Sequence, residues 1–132
     1  EIAQCLVGSE MCIRDRYAVA GKTGLGVFEA AQEQGKYAVG VDSDQKYIDP
    51  EVIICSMKKE VGSSIYDAVK SYLAGDSRFG TTWTADMATG YVGIGYGDSG
   101  MTQQVPDEVK AAVEELAAKI ASGEIVVETT RA

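Results

Sequence analysis

The chain has 132 residues, 45% of them hydrophobic and 24% charged, which is ample for one folded domain and short for two of ordinary size. A formal net charge of -8 is unfavourable for binding a nucleic-acid backbone or an anionic membrane surface, and fits a ligand that is not strongly anionic. Histidine is absent, which removes the commonest general base and metal ligand, and Cys5, Cys12 and Cys55 form neither a metal-spaced pair nor a disulfide framework.

Residues 1–16 match neither a helical nor a strand period. They resemble translated sequencing-adapter read-through, notably in Val7-Gly8-Ser9-Glu10-Met11-Cys12-Ile13-Arg14-Asp15, and are read as an artefactual or disordered leader. They lack the basic start and continuous apolar centre of a signal peptide. No apolar run approaches the roughly 18 residues of a membrane span.

From Tyr17 the pattern is regular. Residues 17–20 are predicted to end a short strand, and residues 21–26 to form a tight glycine loop opening a helix over about 24–34, with Val27, Phe28, Ala30 and Ala31 on its buried side. Gly35 then leads into an apolar run, residues 37–41, that breaks into Asp42-Ser43-Asp44-Gln45. This reads as a buried parallel strand in a βαβ unit, whose carboxyl end delivers two carboxylates where open α/β sheets hold ligands. A second buried strand is expected over residues 52–57, then a helix over about 63–74 stopped by Gly75. Short strands are expected around residues 81–83 and 91–94. The clearest helix opens at Pro106, carries Val109, Val113, Leu116 and Ile120 as one stripe, and ends at Gly123. A terminal strand over residues 125–127 closes the expectation.

Two phosphate-binding motifs fail. Gly21-Lys22-Thr23 lacks the earlier glycine of a P-loop, because Arg16 stands there, and Glu29 replaces the third glycine of a dinucleotide fingerprint. What remains is a loop whose glycines let backbone N–H groups at a helix start approach a ligand closely. Asp42 reads either as a ligand-facing acceptor or, like Asp44, as the cap of the next turn. Phe28 reads as a ring offered to an aromatic ligand or as a core residue. Lys58 and Lys59, expected just after the second strand, read as donors to ligand hydroxyls or ring nitrogens, as partners of Asp42, or as solvated charges. Cys55 lies in an apolar run without a histidine partner, which disfavours a nucleophilic role.

Several segments in order, Val19 with the glycine loop to Ala31, Gly40-Val41-Asp42-Ser43-Asp44-Gln45, Ser56-Met57-Lys58-Lys59 leading to Ile65-Tyr66-Asp67-Ala68-Val69-Lys70, Val105-Pro106-Asp107-Glu108-Val109, and Ser122-Gly123-Glu124-Ile125-Val126-Val127, resemble the C-terminal part of the basic membrane protein family. These are ABC-transporter substrate-binding lipoproteins, many of which bind purine nucleosides. The resemblance implies an α/β, type I periplasmic-binding-protein-like fold, a parallel sheet flanked by helices, incomplete and mainly the C-terminal lobe, over residues 17–132. It implies a nucleoside-like ligand, a membrane permease as partner, a lipid-anchored place in the cell envelope, no cofactor, no metal and no catalysis. By the same resemblance Phe28 stacks on the nucleobase, Asp42 accepts from ribose hydroxyls, Lys59 completes the sugar side and Gly26 lies in the loop touching the ligand. Lys22, Gly62 and the segment 87–93 depart from the family pattern. The family's chain crosses between its lobes three times, which would put the helix carrying Ile65 and Leu73 in the other lobe, short of packing partners. Two other readings carry the same fold class: the ligand-sensing domain of a transcription regulator, and an α/β enzyme using Asp42 or Asp44 as base, which the lack of histidine and of a nucleophile-base pair disfavours.

Overall fold

The computed structural model describes residues 15–76 and 80–127. The expected βαβ unit is its first feature. Strand β1 (Asp15–Tyr17) is followed by a 3-10 turn (Gly21–Gly24), helix α1 (Leu25–Glu33) and strand β2 (Tyr37–Gly40), and β1 and β2 pair in parallel. Asp15 and Arg16 join the sheet opposite Tyr37 and Ala38, so regular structure starts two residues before the reading of the leader placed it. A parallel ladder is made by backbone groups, so this pairing does not depend on the side chains at those two positions. The rest of the leader, with Cys5 and Cys12, lies outside the described residues.

Helix α1 turns Phe28 and Ala31 inward, with Val27 packed against them, while Ala30 faces solvent, contrary to expectation. Ala30 lies two positions from Phe28, about 200° round the helix, and so falls opposite the apolar side. Gly35 ends the helix at a φ of 60°, a left-handed conformation that glycine adopts without a Cβ clash. Strand β3 (Ile53–Lys59) runs parallel to β2, with Ala38 opposite Ile53 and Gly40 opposite Ser56. The sheet order is β1-β2-β3-β4, where β4 is Val92–Gly95. Beneath it, Ala18, Phe28, Ala31, Ala38, Val52 and Ile53 form one buried cluster. Lys58 and Lys59 belong to β3 itself rather than to the loop after it.

The chain forms two compact units, residues 1–57 with 94–104, and residues 58–93 with 105–132. It passes between them after Met57, after Gly93 and after Gln104. Each unit is built from two separated segments, and the first two crossings fall inside β3 and β4.

In the second unit, α2 (Val61–Leu73) carries the expected apolar stripe, but Ile65, Val69, Tyr72 and Leu73 are 60%, 51%, 63% and 79% exposed. Tyr91 donates from its hydroxyl to Asp67 on this helix at 2.6 Å, and its ring meets Trp83 edge-on at 5.4 Å. Residues 81–83 form no strand; Trp83 is instead held by that ring contact. Asp86 and Thr89 close a turn reciprocally, Asp86 N donating to Thr89 Oγ1 at 2.8 Å and Thr89 N to Asp86 Oδ1 at 2.9 Å. The bond from the Thr89 backbone, aided by its side chain, holds the Asp86 carboxyl below the usual aspartate value. Helix α3 (Asp107–Ala121) begins after Pro106 as cap, with Asp107 and Glu108 in its first turn. The strand expected at 125–127 is absent: Gly123 adopts a φ of 78° and Ile125 N bonds back to Lys119 O at 3.1 Å, which turns the backbone onto the helix end.

Candidate functional site

At the carboxyl end of β2 the two carboxylates differ in burial and backbone conformation. Asp44 is committed to structure: its Oδ1 accepts from Lys46 N at 3.1 Å and from Ser56 Oγ at 3.5 Å, and its Oδ2 accepts from Gly97 N at 2.8 Å. This is the capping role that was the alternative for either aspartate. Asp42 is exposed and sits at a φ of 71°, the one non-glycine residue with positive φ among the described residues. Such a backbone costs a non-glycine residue about 1–3 kcal/mol, is least unfavourable for Asp and Asn, and clusters at ligand-contacting positions.

The loop below Asp42 is tightly built. Val41 N donates to Gln45 Oε1 at 2.8 Å, and Gln45 N donates to Ser56 Oγ at 3.0 Å. Gly40 is required here, since a Cβ on it would lie 2.5 Å from Ser56 Oγ and 3.0 Å from Gln45 Oε1. Lys46 is 0% exposed, and its Nζ donates to Ile53 O at 2.7 Å, to Ile54 O at 3.5 Å and to Gln104 Oε1 at 2.6 Å. Gln104 Nε2 in turn donates to Pro50 O at 2.6 Å and to Glu51 O at 3.0 Å. Gly97 crosses over the lysine stem at a φ of 76°, where a Cβ would meet Lys46 Cδ at 2.6 Å. Sequence reasoning missed Lys46, Ser56, Gly97 and Gln104. A lysine is almost never fully buried, and its partner Gln104 lies 58 positions away, so no local spacing reveals the contact.

The glycine loop also divides. Gly24 is a packing glycine, because a Cβ on it would stand 3.3 Å from both the Cβ and the carbonyl of Ala18. Gly26 lies in the first turn of α1 rather than in a loop, and a Cβ there would meet nothing within 4 Å. A helical glycine is less favourable than alanine by about 0.8–1 kcal/mol, and nothing among the described residues fills the space a Cβ on Gly26 would take. Gly26→Ala is therefore expected to raise thermal stability slightly while weakening ligand binding; a gain in both, measured by denaturation and calorimetry, removes Gly26 from the site.

Phe28, expected to stack on a ligand ring, is 3% exposed and packed in the core cluster with Ala18, Ala31, Ala38, Val52 and Ile53. Stacking needs an open ring face, so the core reading of Phe28 is the one the packing supports. Lys59, at the end of β3 in the second unit, is exposed, while Lys58 beside it pairs with Glu60 at 2.7 Å. Cys55 is half-buried, and burial pushes its thiol up, with Lys46 partly opposing and Asp44 adding to the rise. A thiol held protonated is a poor nucleophile. No cluster of metal-ligating side chains occurs among the described residues.

A parallel sheet flanked by helices, with an exposed carboxylate at the carboxyl edge of a central strand, is a partial periplasmic-binding-protein-like fold. A family model described as Bmp, ABC transporter substrate-binding protein PnrA-like, matches residues 13–131, and the chain belongs to this family. Basic membrane protein C of Borreliella burgdorferi is 34% identical over 114 residues, which are 84% of this chain and 31% of that protein. Basic membrane protein A of Borreliella afzelii is 32% identical over 111 residues, covering 82% of this chain and 33% of the relative. The chain thus spans about a third of the length of these curated relatives. Among solved structures, an ABC transporter system solute-binding protein from Aeropyrum pernix matches with a TM-score of 0.74 and 27% identity, over 98% of this chain and 43% of that one. A transcriptional activator of the comK gene from Bacillus halodurans matches with a TM-score of 0.78 at 21% identity, over 96% of this chain and 42% of that one, a likeness of fold alone.

Proposed function

We propose that this chain is the C-terminal part of an ABC-transporter substrate-binding protein that takes a small solute, a purine nucleoside, and hands it to a membrane permease. The observation that carries the reading is Asp42: an exposed carboxylate in a left-handed backbone at the carboxyl end of a parallel strand, next to an Asp44 already committed to the loop. An ionised carboxylate is acceptor-only, which suits it to the paired hydroxyls of a ribose. Gly26 is the close-approach glycine of this reading, and Lys59 keeps the role of a cation donating to polar groups of the ligand. Phe28 supports the glycine turn from within the core. The net charge of -8 favours a neutral nucleoside over a nucleotide. A place in the cell envelope, with a lipid anchor on the whole protein, is supported by a Pyrococcus horikoshii relative described as an uncharacterized lipoprotein, 30% identical over 154 residues covering 87% of this chain and 36% of that protein.

Calorimetric titration of the whole protein with adenosine, guanosine, inosine, uridine and free ribose tests the proposal. Purine nucleosides are expected to bind selectively, and a folded protein that takes none of them overturns the nucleoside assignment. Asp42→Asn keeps a residue tolerant of the left-handed backbone and removes the charge. It is expected to weaken nucleoside binding by about 1.5–3 kcal/mol, roughly ten- to a hundredfold, with thermal stability unchanged. Affinity equal to the parent would remove Asp42 from the contact.

A further inference from the structure

The buried lysine is not explained by solute contact, since its ammonium points into the protein, yet it stands four residues from the proposed ligand carboxylate. Its three acceptors belong to two parts of the chain: the carbonyls of Ile53 and Ile54 on β3, and the side chain of Gln104 at the end of the segment 94–104. The same segment reaches back a second time, through Gly97 N to Asp44 Oδ2 at 2.8 Å. It is fastened a third time by Thr102 Oγ1, which donates to Glu51 Oε1. Gln104 is also the last residue before the chain passes into the other unit. The turn over residues 42–46 is thus clamped from β3 on one side and from the 94–104 segment on the other.

We infer that Lys46 and Gln104 are positioning residues for Asp42: their contact locks the 42–46 turn to the 94–104 segment and so holds Asp42 in the left-handed conformation that presents its carboxylate. Two features of the geometry support this. The turn has internal bonds, Val41 N to Gln45 Oε1, Ser43 N to Val41 O and Lys46 N to Asp44 Oδ1, but it is tied to the rest of the unit only by side-chain contacts, Gln45 N to Ser56 Oγ, Gly97 N to Asp44 Oδ2 and Lys46 Nζ to Ile53 O and Gln104 Oε1, so its placement draws on contacts from outside. A positive φ at a non-glycine residue persists only where surrounding structure over-determines it, and the clamp is the structure that does so here. The Gln104 amide is suited to the task, because its oxygen accepts from Lys46 while its nitrogen is spent on the carbonyls of Pro50 and Glu51. This orients the oxygen toward the ammonium and leaves the flipped amide without partners.

The inference concerns the site proposed above and rests on that reading, but part of its test does not need the ligand. Gln104→Ala in the whole protein is expected to speed amide hydrogen exchange at Val41 and Gln45 as well as at Gly97. Faster exchange confined to residues 94–104, with 41–46 unchanged, overturns the clamp. In the second arm, Gln104→Ala is expected to lower affinity for the best-bound purine nucleoside roughly tenfold per folded molecule, the size of coupling seen between residues of one hydrogen-bonded network. Gln104→Glu, which keeps an acceptor for Lys46 but turns its second carboxylate oxygen onto the carbonyls of Pro50 and Glu51, is expected to restore only part of that affinity. A loss of stability in Gln104→Ala with affinity intact marks a purely structural role and sinks the inference. If the parent protein binds no nucleoside, the ligand assignment fails, and the exchange experiment still decides the clamp.

Discussion

Phe28→Ala is expected to destabilise the protein by about 3–5 kcal/mol, the usual range for removing a buried aromatic ring. The ring is 3% exposed and is the largest member of a cluster otherwise made of Ala18, Ala31, Ala38, Val52 and Ile53. Its neighbours are small, and three of them are alanines whose side chains cannot extend into the space a benzyl group leaves. The cavity term therefore adds to the lost transfer energy. The position matters as much as the volume. Phe28 is one turn into α1, directly after the 3-10 turn, and it pins that helix start against Ala18 after β1 and Ala38 in β2. Typical domains have a net stability of about 5–15 kcal/mol, so such a loss is a large share of the total. Urea denaturation checks it. A loss under about 1 kcal/mol, below the range for a buried aromatic, together with weakened nucleoside binding, would return Phe28 to the stacking role that the family resemblance gave it.

How far the sequence reaches is clearest at the β2 edge. The apolar run breaking into Asp42-Ser43-Asp44-Gln45 identified a parallel strand, its exposed end and two candidate carboxylates, because an apolar run and an abrupt polar stop are both written in adjacent residues, although only the face of Ala38 and Gly40 is buried and Tyr37 opposite is 47% exposed. Helix ends were equally plain: Gly35, Gly75 and Gly123 all adopt positive φ, a conformation that local sequence alone specifies. Which aspartate faces outward was not legible, since it depends on Ser56 and Gly97, brought to Asp44 from 12 and 53 positions away. The strands expected at 81–83 and 125–127 failed for a related reason. β-propensity describes a fit to a pleated neighbour, and these segments find none: Trp83 packs on Tyr91, and Ile125 turns back onto α3. The stripe on α2 was read correctly as apolar and helical, but no periodicity says what such a face meets.

Lys46→Met is the second change with a large expected effect, about 2–5 kcal/mol of stability, from lost charge-assisted bonds and the acceptors left behind. Methionine keeps an unbranched chain of similar reach, so the packing of the stem under Gly97 is largely retained and the cavity contribution is small. What disappears is the donor. Ile53 O, already inside the core beside a residue of 0% exposure, loses its bond at 2.7 Å, and Gln104 Oε1 loses one at 2.6 Å. The asymmetry between making and orphaning a buried hydrogen bond sets the size of the effect: leaving an acceptor unpaired costs more than the bond contributed net. Pairing the change with Gln104→Met separates the two parts. If the Gln104 oxygen is a main orphan, the double variant should be less destabilised than the sum of the singles, with a coupling of about 0.5–3 kcal/mol. Strict additivity in chemical denaturation would mean that Lys46 acts through the β3 carbonyls alone, leaving the turn at Asp42 held by Asp44 and Ser56.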